Sequence, residues 1–117
     1  MTRFLLVCLG GAIGSGARYL VALSTVAYPT LIVNVVGSFL IAMVMELAAE
    51  SDLRFFLVTG ILGGFTTYST FNQETLQMIR GGAAGAALLN VAMTVIGCLA
   101  AGFAGVFLVR LLSAQGH

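Results

Sequence analysis

Residues 63–71 read GGFTTYSTF. Two glycines lead into a cluster of hydroxyl and aromatic side chains: Thr66, Thr67, Tyr68, Ser69, Thr70 and Phe71. Tyr68 and Phe71 stand at i, i+3, so on a helix they share a face. Two other segments carry polar residues at i, i+4, i+8: Thr30, Asn34 and Ser38, then Asn90, Thr94 and Cys98. Asn, Ser and Thr donate hydrogen bonds, and aromatic rings present positive edges. A cation path lined by side chains normally shows rings of Asp or Glu. Here the central parts of the apolar segments hold no carboxylate. Donors and ring edges therefore suit a small anion, with Ser69 and Thr70 among the hydroxyls available to it. The ordinary alternative for a single Ser or Thr in a helix is a bond to its own backbone carbonyl. Three polar lines together point to convergence, because polar groups in hydrocarbon must find partners. Two charges lie deep, Arg18 and Glu74. A charge there needs water or a partner. Arg18 reads either as a snorkelling side chain or as a collector of anions, and Glu74 as part of an aqueous vestibule or a hydrogen-bond network.

The elements that position these groups follow from composition. Of 117 residues, 60% are hydrophobic and 8% charged, against roughly 25% charged in soluble domains. The chain reads as an all-α integral membrane protein. It has no lysine, no Trp and a formal charge of +1, so nothing offers a basic face to nucleic acid. A spanning helix needs roughly 20 mostly apolar residues. Segments 55–73 and 81–109 are free of charge, as is 19–45, which Tyr28-Pro29-Thr30 interrupts. Proline is accepted in a helix's first turn and disfavours helix just before it. The pattern predicts one transmembrane domain over 1–117, with four helices at about 4–23, 29–48, 53–79 and 83–112. Both termini then lie on one side. A cleaved signal peptide over the first residues would leave three spans, and is the less economical reading. Cys8 and Cys98, distant in sequence and without neighbouring His, read as inert buried thiols rather than as a disulfide or a metal pair.

Gly10 and Gly14 stand in GxxxG spacing, which lets helix backbones approach closely in lipid. The same glycines lack the remainder of a nucleotide-binding fingerprint. Gly60, Gly63 and Gly64 weaken the third helix by up to ~1 kcal/mol each relative to Ala. A break there would free carbonyls able to hold a cation. An unbroken helix that uses the glycines for packing is equally open. Arg3, Arg54 and Arg110 fall on the side of the termini, Arg18 and Arg80 on the other. So slight a bias permits insertion in both orientations, and hence an antiparallel dimer.

GGFTTYSTF closely resembles the GGxTTFSTF signature of the CrcB/Fluc fluoride channels. GGAIGSGARY (10–19), PTLIVNVVGSFL (29–40) and VIGCLAAG (95–102) are similar to further segments of that family, so the resemblance covers nearly the whole chain. It implies an antiparallel, dual-topology homodimer in the bacterial inner membrane, with four spans and a broken third helix in each copy. It also implies passive export of fluoride, with a structural Na⁺ held at the centre by backbone carbonyls of Gly63 and Thr66. Asn34 then matches the pore asparagine, and Tyr68 and Phe71 the ring pair whose edges approach fluoride. Thr94 and Cys98 match the polar track of the last helix, Thr30 the threonine opening helix two, Glu74 the acid after the aromatic pair, and Arg18 the first-helix arginine. Tyr68 departs from phenylalanine, Cys98 from serine and Pro29 from glycine.

The rival readings are a small proton-coupled multidrug transporter and a non-transporting scaffold. The first needs a membrane-embedded glutamate in its first helix, where this chain has only Arg18. An enzyme is not expected, because no Ser-His-Asp or metal-ligand set exists and the sole His is His117.

Overall fold

The computed structural model describes residues 1–115, and every regular element among them is helical. Helix α1 spans Thr2–Leu23 and closes as Ser24 folds back, its hydroxyl donating to the Val21 carbonyl at 2.6 Å. A short link brings the chain to Tyr28, the one non-glycine residue with positive φ, at 57°. Pro29 follows in the first turn of α2, Pro29–Leu47. The ring presets the helical φ, so the turn at Tyr28 delivers the chain directly into a helix.

After a link at 48–51, Ser51 caps the next helix by accepting from the Arg54 N–H at 3.2 Å. This helix, α3, occupies 52–65 in three continuous pieces: a turn at Asp52–Arg54, a π-helical stretch at Phe55–Leu62, and a last turn at Gly63–Phe65. Thr66 and Thr67 are extended, with ψ of 156° and 115°. Helix α4 then runs Tyr68–Arg80. A glycine turn with Gly82 at φ 81° leads to α5, Ala84–Gln115.

The segment expected as one helix at 53–79 is thus two helices. The break lies at the threonines, two residues beyond the glycines that raised the question. Those glycines stay helical and serve packing instead. A Cβ on Gly64 would sit 2.7 Å from the Gly11 carbonyl, and one on Gly14 would collide with the Ile61 carbonyl. Close backbone contact of α1 with α3 therefore requires small residues on both sides. Both readings of the glycine run hold, each for part of it.

Helices α1, α2 and α5 are long and apolar enough to cross a membrane. Helix α1 lies along α3, α2 along α5, and α4 rests on α5. Little of these spans is covered by their own chain: in an apolar 18-residue stretch of each, 11% of the residues are buried in α1, 22% in α2 and 11% in α5. Their outward faces carry Leu20, Leu88, Ile96 and Phe103, all more than 60% exposed. Such surfaces are stable only against lipid or another protein. At one end Arg3 pairs with Asp52 at 3.0 Å and lies 4.2 Å from the centre of the Phe55 ring, and Arg110 pairs with Glu46 at 3.4 Å.

Candidate functional site at the helix break

A helix that stops inside an apolar protein leaves its last carbonyls and the next helix's first N–H groups without partners. The sequence supplies three polar side chains to meet them. Asn34, buried on α2, grips the backbone of Thr67 at both ends. Its Nδ2 donates to the Thr67 carbonyl at 3.1 Å, and its Oδ1 accepts from the Thr67 N–H at 2.8 Å. This is the pairing that one strand residue makes with another, supplied by a side chain. Arg18 on α1 donates through Nε to the Gly64 carbonyl at 3.1 Å. The side chain thus neither snorkels nor stands free, but ties α1 to the end of α3. Thr67 caps α4: its hydroxyl accepts from the Thr70 N–H at 3.3 Å and donates to the Thr70 hydroxyl at 3.1 Å. Sequence reading named Thr67 only as one hydroxyl of the cluster and missed its capping role, although a threonine just ahead of a helix is a recognised capping signal.

These bonds redirect two donors. In an unbroken helix the Thr67 N–H would bind the Gly63 carbonyl, and the Thr70 N–H the Thr66 carbonyl. Here the first goes to Asn34 and the second to the Thr67 hydroxyl. The carbonyls of Gly63 and Thr66 are thereby released from helical bonding. They lie at the C-terminal end of α3 and in the extended link, where the helix dipole is negative and favours a cation. The start of α4, a few ångströms along the chain, has the opposite polarity and favours an anion.

Beside the break opens a cavity of about 530 Å³. Asn34 and Ser38 of α2, Thr66, Thr67, Tyr68 and Phe71 around the break, and Thr94 and Cys98 of α5 all line it. Phe71 is buried at 8% exposure, whereas Tyr68 is 76% exposed. Their rings meet edge to face, with centres 5.6 Å apart and planes at 69°. The Tyr68 hydroxyl has no partner among the described residues. No carboxylate lines this cavity.

The remaining candidates gather on the other side of Thr67. Arg18, Thr30, Thr67 and Thr70 border a smaller cavity of about 70 Å³. Thr30 donates to Glu74 at 2.6 Å, one hydrogen bond that ties α2 to α4. Ser69 is exposed, 3.3 Å from the Thr67 hydroxyl, and lines neither cavity. Its place, like that of Thr70, is in the cap. Asn90 donates to Thr75 at 3.0 Å, and Thr75 in turn donates to the Phe71 carbonyl at 2.8 Å. The polar line on α5 therefore splits: Asn90 fastens α4, while Thr94 and Cys98 face the large cavity. The Asn90–Thr75 pair was not anticipated from sequence, since a lone threonine within a helical stretch carries no mark of its partner.

The sequence profile of the family described as "CrcB-like protein, Camphor Resistance (CrcB)" matches residues 5–106. The chain is 51% identical to the fluoride-specific ion channel FluC of Anaeromyxobacter dehalogenans, covering 97% of this chain and 99% of that one. It is 43% identical to the FluC of Geobacter sulfurreducens, over 96% of this chain and 100% of that one. Against the FluC of Thermus thermophilus it is 49% identical, over 76% of this chain and 80% of that one. These relatives carry the names of ion channels, not of enzymes. With its helix break, its donor-lined cavity and this similarity along almost its entire length, the chain belongs to the CrcB family.

Proposed function

We propose that this protein is a fluoride-selective channel of a bacterial inner membrane, passively exporting the ion and so relieving its toxicity. The observation that carries the reading is the convergence at the break. Side chains from three separate elements meet in one cavity as hydrogen-bond donors and ring edges, without a carboxylate among them. Fluoride holds its water tightly, so a path must offer several donors at once in exchange. The Thr94 hydroxyl, the ring edges of Tyr68 and Phe71, and the positive start of α4 supply them. Asn34 keeps the break open and orients the groups around it.

On this reading α3 and α4 together make the third of four crossings, and two copies insert antiparallel as a homodimer. The exposed cavity and the thinly covered spans support a second copy seated against this face. A structural Na⁺ suits the released carbonyls of Gly63 and Thr66, neutral hard oxygens at a negative helix end. When bound it adds a fixed positive charge beside the anion path. Glu74 is bonded to Thr30 and lies outside the large cavity, which disfavours a proton-coupled drug transporter.

Purified protein in liposomes should release fluoride down its gradient, release chloride far more slowly, and move no cationic drug against a proton gradient. Phe71→Ile should abolish the fluoride flux by removing a ring edge from the path. Flux equal to that of empty liposomes for the unmodified protein would refute the assignment, and so would full flux in Phe71→Ile.

A further inference from the structure

Arg3, Arg54 and Arg110 stand at the end of the molecule where α1 begins, and two of them are spent on carboxylates. Arg3 pairs with Asp52 and Glu50, and Arg110 with Glu46. Arg54 has no carboxylate partner among the described residues. Its Nη1 donates to the Ala48 carbonyl at 3.3 Å, just past the C-terminal end of α2. A guanidinium carries several N–H donors, so most of them are left over. Arg54 also borders a cavity of about 160 Å³ between α2 and α3. The rest of its wall is Met45 from α2, and Phe55, Val58 and Thr59 from α3. No carboxylate lines it, and none of its residues lines the cavity at the helix break. Thr59 lies about a turn deeper into the apolar stretch than Arg54 and is exposed. Its hydroxyl has no partner among the described residues, whereas Thr66 and Thr75 return theirs to a carbonyl four residues back. The groove thus combines an unneutralised cation at the boundary of a span, an apolar wall, and a free hydroxyl further in.

We infer that this groove binds one anionic phospholipid, its phosphate on Arg54 and the start of an acyl chain against Met45, Phe55 and Val58. The guanidinium fork matches the geometry of phosphate oxygens. A charge at the end of an apolar span needs water or a partner, and an anionic headgroup supplies the missing countercharge. Basic pockets between transmembrane helices hold lipid headgroups in this way. The Thr59 hydroxyl is placed to donate to an ester carbonyl of the glycerol region. Free phosphate would satisfy the arginine and leave the apolar wall bare. An uncharged chain would cover the wall and leave the arginine without its countercharge. Only an amphiphile with both parts matches the whole groove. A zwitterionic lipid carries its own cation beside its phosphate and so competes poorly. The site lies apart from the anion path and does not depend on whether the protein conducts fluoride.

The test is native mass spectrometry of the detergent-purified protein mixed with equal amounts of phosphatidylglycerol and phosphatidylcholine. Bound phosphatidylglycerol should exceed phosphatidylcholine about fivefold, the size expected of one arginine at an anionic lipid surface. Arg54→Gln should bring the two lipids to parity. Arg80→Gln should keep the preference, because it removes an exposed arginine from the end of α4, outside the groove. Val58→Phe fills the groove while sparing the arginine, and should also reduce the bound phosphatidylglycerol. Excess inorganic phosphate should not displace the lipid. Parity in the unmodified protein would overturn the inference, and that arm needs no variant to fold. It is also the result expected if a second copy of the chain covers the groove. An undiminished preference in Arg54→Gln or Val58→Phe would overturn it too, as would an equal loss in Arg80→Gln or displacement by phosphate. Fluoride flux is not read, so failure of the channel assignment and failure of the lipid site are separate results.

Discussion

Asn34 uses both ends of its amide on the backbone of one residue, Thr67, so its two atoms are not interchangeable with any near-isostere. Asn34→Asp replaces the Nδ2 donor by oxygen and sets it against the Thr67 carbonyl at the distance of the present bond, 3.1 Å. A buried carbonyl left without its donor costs about 1–3 kcal/mol, more where the new group is charged. Fluoride efflux through Asn34→Asp should be lost, and its melting temperature in detergent should fall. A variant with full flux and unchanged melting would show that the amide pair does not hold the break. Arg18 acts on the neighbouring carbonyl, Gly64, through Nε. Arg18→Met should lower melting similarly, and Arg18→Lys should recover only part of it, because an ammonium lacks the fixed guanidinium geometry. Of these residues Asn34, Thr94 and Cys98 were legible in the sequence, because polar types at helical spacing in an apolar segment stand out. The partner of Arg18 was not. A backbone carbonyl accepts in the same way from every residue, so nothing in the letters at position 64 announces it.

At the scale of helices, the glycine spacing of α1 announced a close approach without naming its partner, which the structure makes α3. Gly10 and Gly14 predicted close approach, and a Cβ on Gly10 would stand 2.6 Å from the Phe56 carbonyl. Gly16 on the same helix has nothing within 4 Å of such an atom. Gly10→Ala should therefore destabilise the protein by about 1–3 kcal/mol, the usual cost of overpacking. Gly16→Ala should be neutral or slightly stabilising, through the better helix propensity of alanine. Thermal melting of the two variants side by side checks this, and equal effects would contradict the seam. The helix start at Pro29 was readable from turn chemistry. The π-helical winding of 55–62 was not, because the same apolar letters serve an α-helix equally well. The exact point of the break also eluded pattern reading. Glycines mark where a helix is weak, whereas the extended residues are the ones whose N–H groups find better acceptors elsewhere.

For the whole molecule, the thin coverage of its spans leaves faces that lipid or a second copy must cover. A dual-topology pair predicts that a protease site placed after the C-terminus is cut in about half of the molecules in sealed inside-out vesicles, since the Arg and Lys bias that normally fixes orientation is slight. Cleavage of all copies, or of none, would exclude the antiparallel pair. The membrane class and the approximate helix count could be read from composition, because hydrocarbon imposes one rule on every residue of a span. What sits against the exposed faces could not, since lipid tails and a second protein select the same side chains. The wide winding of 55–62 carries a hereditary consequence. Each residue of an α-helix turns the chain by about 100°. A one-codon deletion in that stretch would be absorbed as the wide turns tighten into an ordinary helix, leaving Thr66 and Thr67 near Asn34. The α-helical winding of α2 has no such slack, so a single lost codon should be tolerated better in 55–62 than between Pro29 and Asn34, a difference visible in a deletion scan of fluoride resistance.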